Sequence, residues 1–291
     1  MQEQISSDEI IKGIRNRLKD LKKLIVTDLD GTLLDNNSQL PQEYVEQIKE
    51  LLSPEVKMTI ASGRGYPSVK TFADRFPIDV PVICEAGAVV VDPITEHIIY
   101  QQFLEEDVVK AIAEHLARKK YRCNFYLYQG NNMICYKKPD VPLFTDKEPA
   151  PVVNTDFSDI PKEAMVDVRK VSIILEEEYL NQLKEELRAL LGDRINVMRA
   201  DDGCLDIMAI GVTKGSALKH MLDICGIDPS HVMAIGDNES DATMFDVVKF
   251  SVAVANADDF TKSKASFVTA SNEDKGVLLA IKRFLEAEQN D

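Results

Sequence analysis

No Cys-x-x-Cys pair occurs among the five cysteines, Cys84, Cys123, Cys135, Cys204 and Cys225. Their odd number and wide scatter argue for reduced, mostly buried thiols and a cytoplasmic setting. No apolar run exceeds strand length, so no membrane span is expected, and no charged-then-apolar secretory leader is expected either. Positive charge is scarce: 34 basic residues stand against 49 acidic ones, for a net charge of -15. Such a surface repels nucleic acid, whose sequence-independent binding needs basic surface. It also repels a free phosphate ester at long range, so any phosphate site must be a local concentration of donors and cations. Thr213-Lys214-Gly215 lacks the glycine-rich run of a P-loop. Nothing in the pattern pairs His220 or His231 with a Ser or Cys nucleophile, and both read as packing or surface residues. There is no internal repeat and no low-complexity tract. What is present is the composition of a soluble globular protein, 45% hydrophobic and 29% charged, in 291 residues. That length holds one large domain or two ordinary ones, as a monomer or homodimer.

The stretch Leu24 to Leu34 organises the chain. It begins as a short apolar run of the kind that forms a buried parallel strand, and it ends in Asp28 and Asp30, then Gly31 and Thr32. The glycine predicts a turn there. Open α/β sheets bind their ligands at the C-terminal ends of parallel strands. Two carboxylates this close repel and shift each other's pKa unless a cation or a shared proton relieves them. Mg²⁺ held by oxygen ligands is the simplest relief; an acidic strand-to-turn junction with an Asx-type cap is the alternative.

Ahead of this strand, residues 1–22 predict a helix with Ile11, Ile14, Leu18 and Leu21 on one face and Arg15, Arg17, Lys19 and Lys22 around the rest. It is expected to dock on the core or on a second subunit. After it come an amphipathic helix from Pro41 to Leu52 and a strand from Val56 to Ala61. That strand runs into Ser62-Gly63-Arg64, either an anion site at a helix start or a simple Ser cap. A third strand, Pro81 to Cys84, ends in Glu85-Ala86-Gly87. The rhythm then changes to antiparallel strands and helices: hairpins at 88–101 and 122–137, a helix at 105–119, a proline-rich irregular connection at 139–162, a strand at 171–175, a helix at 177–191 and a strand pair at 195–208. The α/β rhythm returns with a helix from Thr213. A strand at 232–235 follows, ending in Gly236-Asp237-Asn238-Glu239-Ser240-Asp241, and the last helix is expected at 273–288. The expected division is an N-terminal extension at 1–22, a core at 23–87 and 207–291, and an α+β insert at 88–206. Taken singly, Lys214 reads equally as a surface lysine, and Asp237 with Asp241 as a capping pair.

Four sites, Asp28/Asp30, Ser62/Arg64, Lys214 and Asp237/Asp241, lie just past strands or at helix starts. In order and spacing they resemble motifs one to four of the haloacid dehalogenase superfamily. The insert resembles the cap of its type-IIB (Cof-like) branch, a C2B-type cap, as do Lys170, Leu205-Asp206-Ile207 and Asn256-Ala257. The resemblance implies a Rossmann-like parallel-sheet core with an inserted α+β cap. It implies Asp28 as nucleophile, Asp30 as acid and base, and Ser62, Gly63, Arg64, Lys214 and Asn256 around the phosphoryl group. Mg²⁺ would be held by Asp28, the Asp30 carbonyl and Asp237, with Asp241 as a further partner. The implied activity is that of a Mg²⁺-dependent phosphatase of small phosphorylated metabolites, sugar phosphates foremost. A phosphomutase and a non-catalytic sugar-phosphate-binding protein are the rivals. Two positions depart from the family pattern: Ala86 and Ser240 stand where relatives carry Asn. The cap is expected to supply specificity, with Lys170, Arg199 and Asp206 as candidate contacts.

Overall fold

The structure is a computed structural model that describes residues 6–144, 148, 150–200 and 203–286. The opening helix α1 (Ser7–Arg17) is fixed at its start by a Ser6/Glu9 capping box. Strand β1 (Lys23–Thr27) is buried along its whole length. Helix α2 (Gln42–Lys49), strand β2 (Val56–Ile60), helix α3 (Tyr66–Ala73) and strands β3 (Val82–Cys84), β4 (Val89–Val91) and β5 (Ile98–Gln101) follow. Next come helix α4 (Glu106–Lys119), strands β6 (Cys123–Gln129), β7 (Asn132–Lys137), β8 (Val152–Asn154) and β9 (Val168–Leu175), helix α5 (Leu180–Leu191), and strands β10 (Ile195–Arg199) and β11 (Cys204–Ala209). The chain closes with α6 (Lys214–Cys225), β12 (Val232–Gly236), α7 (Glu239–Phe245), β13 (Phe250–Ala253), α8 (Asp259–Lys264), β14 (Phe267–Val268) and α9 (Gly276–Glu286).

The core is a parallel sheet in the order β14-β13-β12-β1-β2. Its strands are apolar on both faces because both are covered. On β1, Ile25 packs into one cluster with α2 and α9, while Leu24 and Val26 pack into another with α1 and α6. Each such side chain, fully buried, stabilises the fold by about 1.5–3 kcal/mol. The strand order reverses about β1, which has β2 on one side and β12 on the other. This is the switch point at which α/β sheets bind ligands.

The insert forms a second sheet, ordered β10-β11-β9-β6-β7-β8. Strand alternation sorts its two faces. Phe125, Leu127, Val171, Ile173, Leu205 and Ile207 pack beneath α4 and α5. The residues between them, Tyr126, Tyr128, Lys170, Ser172, Cys204 and Asp206, therefore share the other face, which covers the core. The architecture is thus a Rossmann-like parallel-sheet core carrying an α+β cap.

Several expectations are corrected. The hairpin β4–β5, placed in the insert by its antiparallel pattern, pairs with β3, and Val89, Val90 and Val91 pack into the core clusters. Lys170 lies within β9 rather than ahead of it. Helix α1 docks on the core through Ile10, Ile14 and Leu18, with Ile10 in place of the expected Ile11. Arg15 Nε holds the Ile224 carbonyl at 2.8 Å and anchors the end of α6. The last two residues expected in the final helix, 287 and 288, lie outside the described residues.

Candidate active site

Strand register assembles the floor of the site. Thr27 lies opposite Ile235 of β12 and Ile60 of β2, so the three strands end level with one another. The residues just past them, Asp28, Ser62 and Asp237, converge. Gly31 turns the chain away with a φ of +75°, and a Cβ there would stand 2.6 Å from Asp237 Oδ2. Only glycine allows the loop to approach that carboxylate so closely.

Lys214 is not a surface lysine. Thr213 caps α6 and directs Lys214 into the core, where it is 3% exposed. Its Nζ donates to Asp28 Oδ1 at 2.7 Å and to Asp241 Oδ1 at 2.6 Å. Asp241 also accepts from the Asp237 amide at 3.0 Å and the Asn238 amide at 3.3 Å, so it holds the backbone at the start of α7 as well as Lys214. Thr32 Oγ1 donates to Asp237 Oδ1 at 2.9 Å.

Carboxylates outnumber cations on this floor. Oxygens of Asp28, Asp237 and Asp241 lie within 4.8 Å of one another, with one ammonium among them. Burial raises the Asp28 carboxyl above the ordinary range; Lys214 opposes this, and Asp241 and Asp30 add to it. Asp237 is likewise raised by burial, then by Asp241 and Asp28. Burial alone would lower Lys214, but Asp241 and Asp28 together raise it. It therefore stays charged. The remaining excess of negative charge calls for a proton or a cation. The donor set is all oxygen and clustered, with Asp28 and Asp241 buried and Asp237 half-buried, and it fits a hard divalent ion.

Asp30 and Arg64 face the same cavity as a closed pair. Arg64 Nε and Nη2 each reach an Asp30 oxygen at 2.7 Å, and Nη1 donates to Ser68 Oγ at 3.2 Å. Burial would lower the guanidinium, and the hydrogen bond and charge of Asp30 hold it up. Ser62 does not cap the next helix, whose cap is Gly65; its Oγ accepts the Arg64 amide at 3.2 Å. Asn256 is not in the cavity. Its Nδ2 donates to the Gly31 carbonyl at 2.7 Å and its Oδ1 accepts from Asn272, so it braces the loop after Asp30.

The cap supplies a roof. Cross-strand register sets Tyr128 opposite Lys170 and Ser172 opposite Asp206. Lys170 Nζ donates to the Gly63 carbonyl of the core at 2.7 Å and to Asp206 Oδ2 at 3.1 Å, and it lies 4.1 Å from the Tyr128 ring centroid. Ser172 Oγ donates to Asp206 Oδ1 at 2.5 Å. Floor and roof face each other across a cavity of about 70 Å³ lined by Asp28, Asp30, Ser62, Lys214, Lys170 and Asp206 among others. Arg199, expected beside them, pairs with Glu177 at 2.6 Å and lines a separate cleft of about 620 Å³ with Asp237 and Phe260.

Sequence reasoning missed four participants. Tyr128 and Ser172 carry a signal in the strand alternation, the same signal that places Lys170 and Asp206. Glu148, whose Oε1 accepts the Gly65 amide at 2.7 Å, sits in the irregular connection and carries none. Arg169 is aimed by a bulge: Tyr128 pairs with Lys170 but Gln129 with Val168, leaving Arg169 unpaired. It forks onto buried Glu85 at 2.9 and 2.6 Å and also reaches the Gly130 carbonyl, tying cap to core.

The profile of the haloacid dehalogenase-like hydrolases matches residues 25–281. The chain belongs to this family. Among curated members it is 28% identical to the 5-amino-6-(5-phospho-D-ribitylamino)uracil phosphatase YwtE of Bacillus subtilis, over 91% of this chain and 99% of that protein. It is 25% identical to the phosphatase YbjI of Escherichia coli, named for the same substrate, over 91% of this chain and 97% of that one. TM0651 of Thermotoga maritima superposes with a TM-score of 0.71 at 27% identity, covering 90% of this chain and 97% of that one. BT4131, described as a sugar phosphatase of subclass IIB, shares the fold with a TM-score of 0.73 at 23% identity, over 90% and 98% of the two chains. Membership makes the protein a hydrolase of this family.

Proposed function

We propose that this haloacid dehalogenase-like hydrolase is a Mg²⁺-dependent phosphatase of small phosphorylated metabolites, sugar and polyol phosphates in particular. The observation that carries the reading is the buried contact of Asp28 with Lys214 at 2.7 Å beside Asp237 and Asp241. It is a nucleophile-grade carboxylate held at the switch point with a fixed cation. Phosphatase names among relatives that align over nearly their whole length support it.

In this reading Asp28 attacks phosphorus, a P–O bond to Asp28 forms, and the ester P–O bond breaks. The departing oxygen takes a proton from Asp30. Water then attacks the aspartyl-phosphate, gives its proton back to Asp30, and releases inorganic phosphate and Asp28. Lys214, Ser62 and the Gly63 amide hold the phosphoryl oxygens. Asp28, the Asp30 carbonyl and Asp237 would hold Mg²⁺, and Asp241 orients the loop that carries Asp237. The ion supplies charge neutralisation of the phosphoryl oxygens. Arg64 now grips Asp30, so it must release that carboxylate when substrate enters, and the phosphoryl group offers it a new partner.

The working division sets the core at 23–101 and 207–286, because β4–β5 belong to its packing, and the cap at 102–206. Substrate then enters when the cap lifts, and closure excludes water. Cysteines without disulfides, four buried and Cys204 half-buried, fit a cytoplasmic location, and no helix of the described residues is long and apolar enough to cross a membrane.

The test is phosphate release from a panel of phosphate esters together with acid quenching to trap phosphorylated protein. Turnover with a trapped phosphoryl group on Asp28 is expected. Absence of turnover on every ester, an aryl phosphate included, overturns the reading.

A further inference from the structure

Two crossings join the cap to the core, and both are fixed beside Glu85. On the first, the Gln102 amide donates to the Ala88 carbonyl of the core at 2.9 Å, and a little further on the Leu104 amide donates to the Val168 carbonyl of β9 at 2.8 Å. On the second, Val212 packs with Ala86, Ala88, Met198 and Met208. There Gly87 runs so close to the chain that a Cβ on it would stand 2.2 Å from the Thr213 carbonyl oxygen. Glu85 lies just before Ala88, and Arg169 directly follows Val168. Their ion pair therefore spans the same gap as the first crossing, and both side chains are buried. A rotating body moves least near its axis, so a cap that lifts on these crossings displaces the pair least. Pulling the pair apart would strand two buried charges, which is strongly disfavoured. Opening therefore turns about the pair and does not break it.

The same pair reaches the phosphoryl site through the backbone. The Ala86 amide donates to the Ser62 carbonyl at 3.0 Å, and the Glu85 amide donates to the Arg64 carbonyl at 2.9 Å. Lys170, the residue after Arg169, donates to the Gly63 carbonyl between them at 2.7 Å. In a trans peptide the carbonyl and the following N–H point in opposite directions. Holding the Ser62 carbonyl therefore aims the Gly63 amide away from Ala86, and that amide is a phosphoryl donor in the proposed mechanism. The holding segment is itself strained. Glu85 and Ala86 have φ of +52° and +55°, in the left-handed region that residues other than glycine keep only where their surroundings enforce it. The two bonds from Arg169 to the Glu85 carboxylate, at 2.9 and 2.6 Å, supply such a constraint.

Resting on the phosphatase reading, we propose that Arg169 and Glu85 are positioning residues of the reaction: their ion pair is the pivot of the cap, and it holds the Glu85-Ala86 turn in the conformation that presents the Gly63 amide to the phosphoryl group. Neither side chain touches the substrate. The phosphoryl group is common to every ester, so the pair acts on all substrates alike. Each closure about the fixed pivot returns Lys170 to the Gly63 carbonyl.

The test uses two variants. One combines Arg169→Met with Glu85→Leu and exchanges a balanced buried pair for apolar packing. The other, Arg169→Lys, keeps the charge and loses the fork. Thermal denaturation is read beside kcat/KM for a hexose monophosphate and an aryl phosphate, and beside calorimetric affinity for inorganic phosphate. The double variant should keep a Tm close to that of the wild type and lose about 10²-fold in kcat/KM on both esters, with inorganic phosphate bound about tenfold more weakly. Arg169→Lys should lose about tenfold on both esters. A folded variant whose kcat/KM stays within about twofold of the wild type would make the pair structural only, and would overturn the proposal. Should the double variant fail to fold, Arg169→Lys alone decides. A loss confined to the hexose ester would put the pair in contact with the leaving group, and would overturn the proposal too. If the wild type turns over neither ester, the phosphatase reading falls. Phosphate affinity in the wild type and Arg169→Lys then still decides: a weaker affinity in the variant supports the positioning, and equal affinities, or no binding by either, overturn it.

Discussion

On the core side of the cavity one ammonium, Lys214, serves Asp28 and Asp241 with Asp237 close by. On the cap side one ammonium, Lys170, serves one carboxylate, Asp206, itself held by Ser172. Apart from half-buried Asp237, both clusters are buried to within a few per cent exposure. The Lys170–Asp206 pair of the roof is balanced, and nothing in that pair's charge asks for an ion. The floor is overdrawn in negative charge, and folding alone does not relieve it. A ligand would complete such a cluster, and in the proposed function the floor carries the chemistry and the roof the recognition.

The sharpest way to break this comparison is Asp28→Asn. It should cost a factor of about 10⁴ or more in kcat while leaving the metal-free protein at least as stable as the wild type. The stability follows from the charge excess: the substitution removes a carboxylate that burial disfavours. Kinetics and thermal denaturation on one preparation check both halves. Activity near wild type would remove Asp28 as the nucleophile, and a large stability loss would deny the charge excess.

The two lysines come next. Lys214→Met leaves several buried carboxylates without a cation and should cost about 3–5 kcal/mol of stability along with a rate loss of about 10²–10³. Lys170→Met leaves Asp206 without its cation and should cost a similar amount in stability. Replacing both Lys170 and Asp206 by apolar residues should then recover most of it, because a balanced buried pair is exchangeable for packing. Denaturant unfolding of the single and double variants measures the recovery. A double variant as unstable as Lys170→Met would mean that the roof pair does more than neutralise itself.

The floor was far more legible in the sequence than the roof. Asp28, Ser62, Lys214 and Asp237 each follow a strand or open a helix, and strand ends in a parallel sheet all point to one edge. Local pattern therefore implies their convergence. Roof residues sit mid-strand, and which face meets the core depends on how the cap is docked. Alternation groups Lys170, Ser172 and Asp206 together but does not say what they face. Pairing partners are a tertiary choice as well, which is why β4–β5 read as part of the insert although they complete a core sheet with β3. The Glu85–Arg169 pair depends on a one-residue bulge and on positive φ at Glu85 and Ala86. Neither Glu nor Ala announces that conformation as glycine would. Likewise, nothing in Asp-Leu-Asp-Gly-Thr reveals that Arg64 holds Asp30 in the resting site.

Metal and pH sharpen the comparison further. The folded-state pKa values of Asp28 and Asp237 are raised, chiefly by burial. The protonated forms are thus favoured by folding. That contribution is complete below the unfolded carboxylate pKa of about 4 and is lost as pH rises through the raised values. Mg²⁺ competes with those protons. The gain in Tm on adding millimolar Mg²⁺ should therefore be near zero at about pH 5 and reach several degrees at about pH 8. A scan of Tm against pH with Mg²⁺ or with chelator reads it directly. A gain that does not change with pH would show that the ion binds elsewhere or that the floor carboxylates are already ionised.

The smallest effect belongs to a third cluster, on the helix side of the cap sheet and away from the cavity. Glu186 is lowered to about 2 by its hydrogen bond from Gln182, with His115 and Lys119 adding to it against burial. His115 Nε2 and Tyr121 Oη meet the same carboxylate oxygen at 2.7 and 3.2 Å. The sign is opposite to that of the floor. A depressed carboxylate contributes stability above its unfolded pKa of about 4.3 and loses it as pH falls through the folded value. Much of the cluster is solvent-screened, so Glu186→Gln should lower Tm by only about 1–2 °C near neutrality. The difference from the wild type should fade below about pH 4 and be indifferent to Mg²⁺. The two limbs then separate cleanly in one experiment, with the acid limb moving in Glu186→Gln and the alkaline, Mg²⁺-sensitive limb moving in Asp28→Asn. If Glu186→Gln altered the Mg²⁺-sensitive limb, cap and floor charges would be coupled through the closed interface, and the division of the cavity into an ion-seeking floor and a self-balanced roof would have to be abandoned.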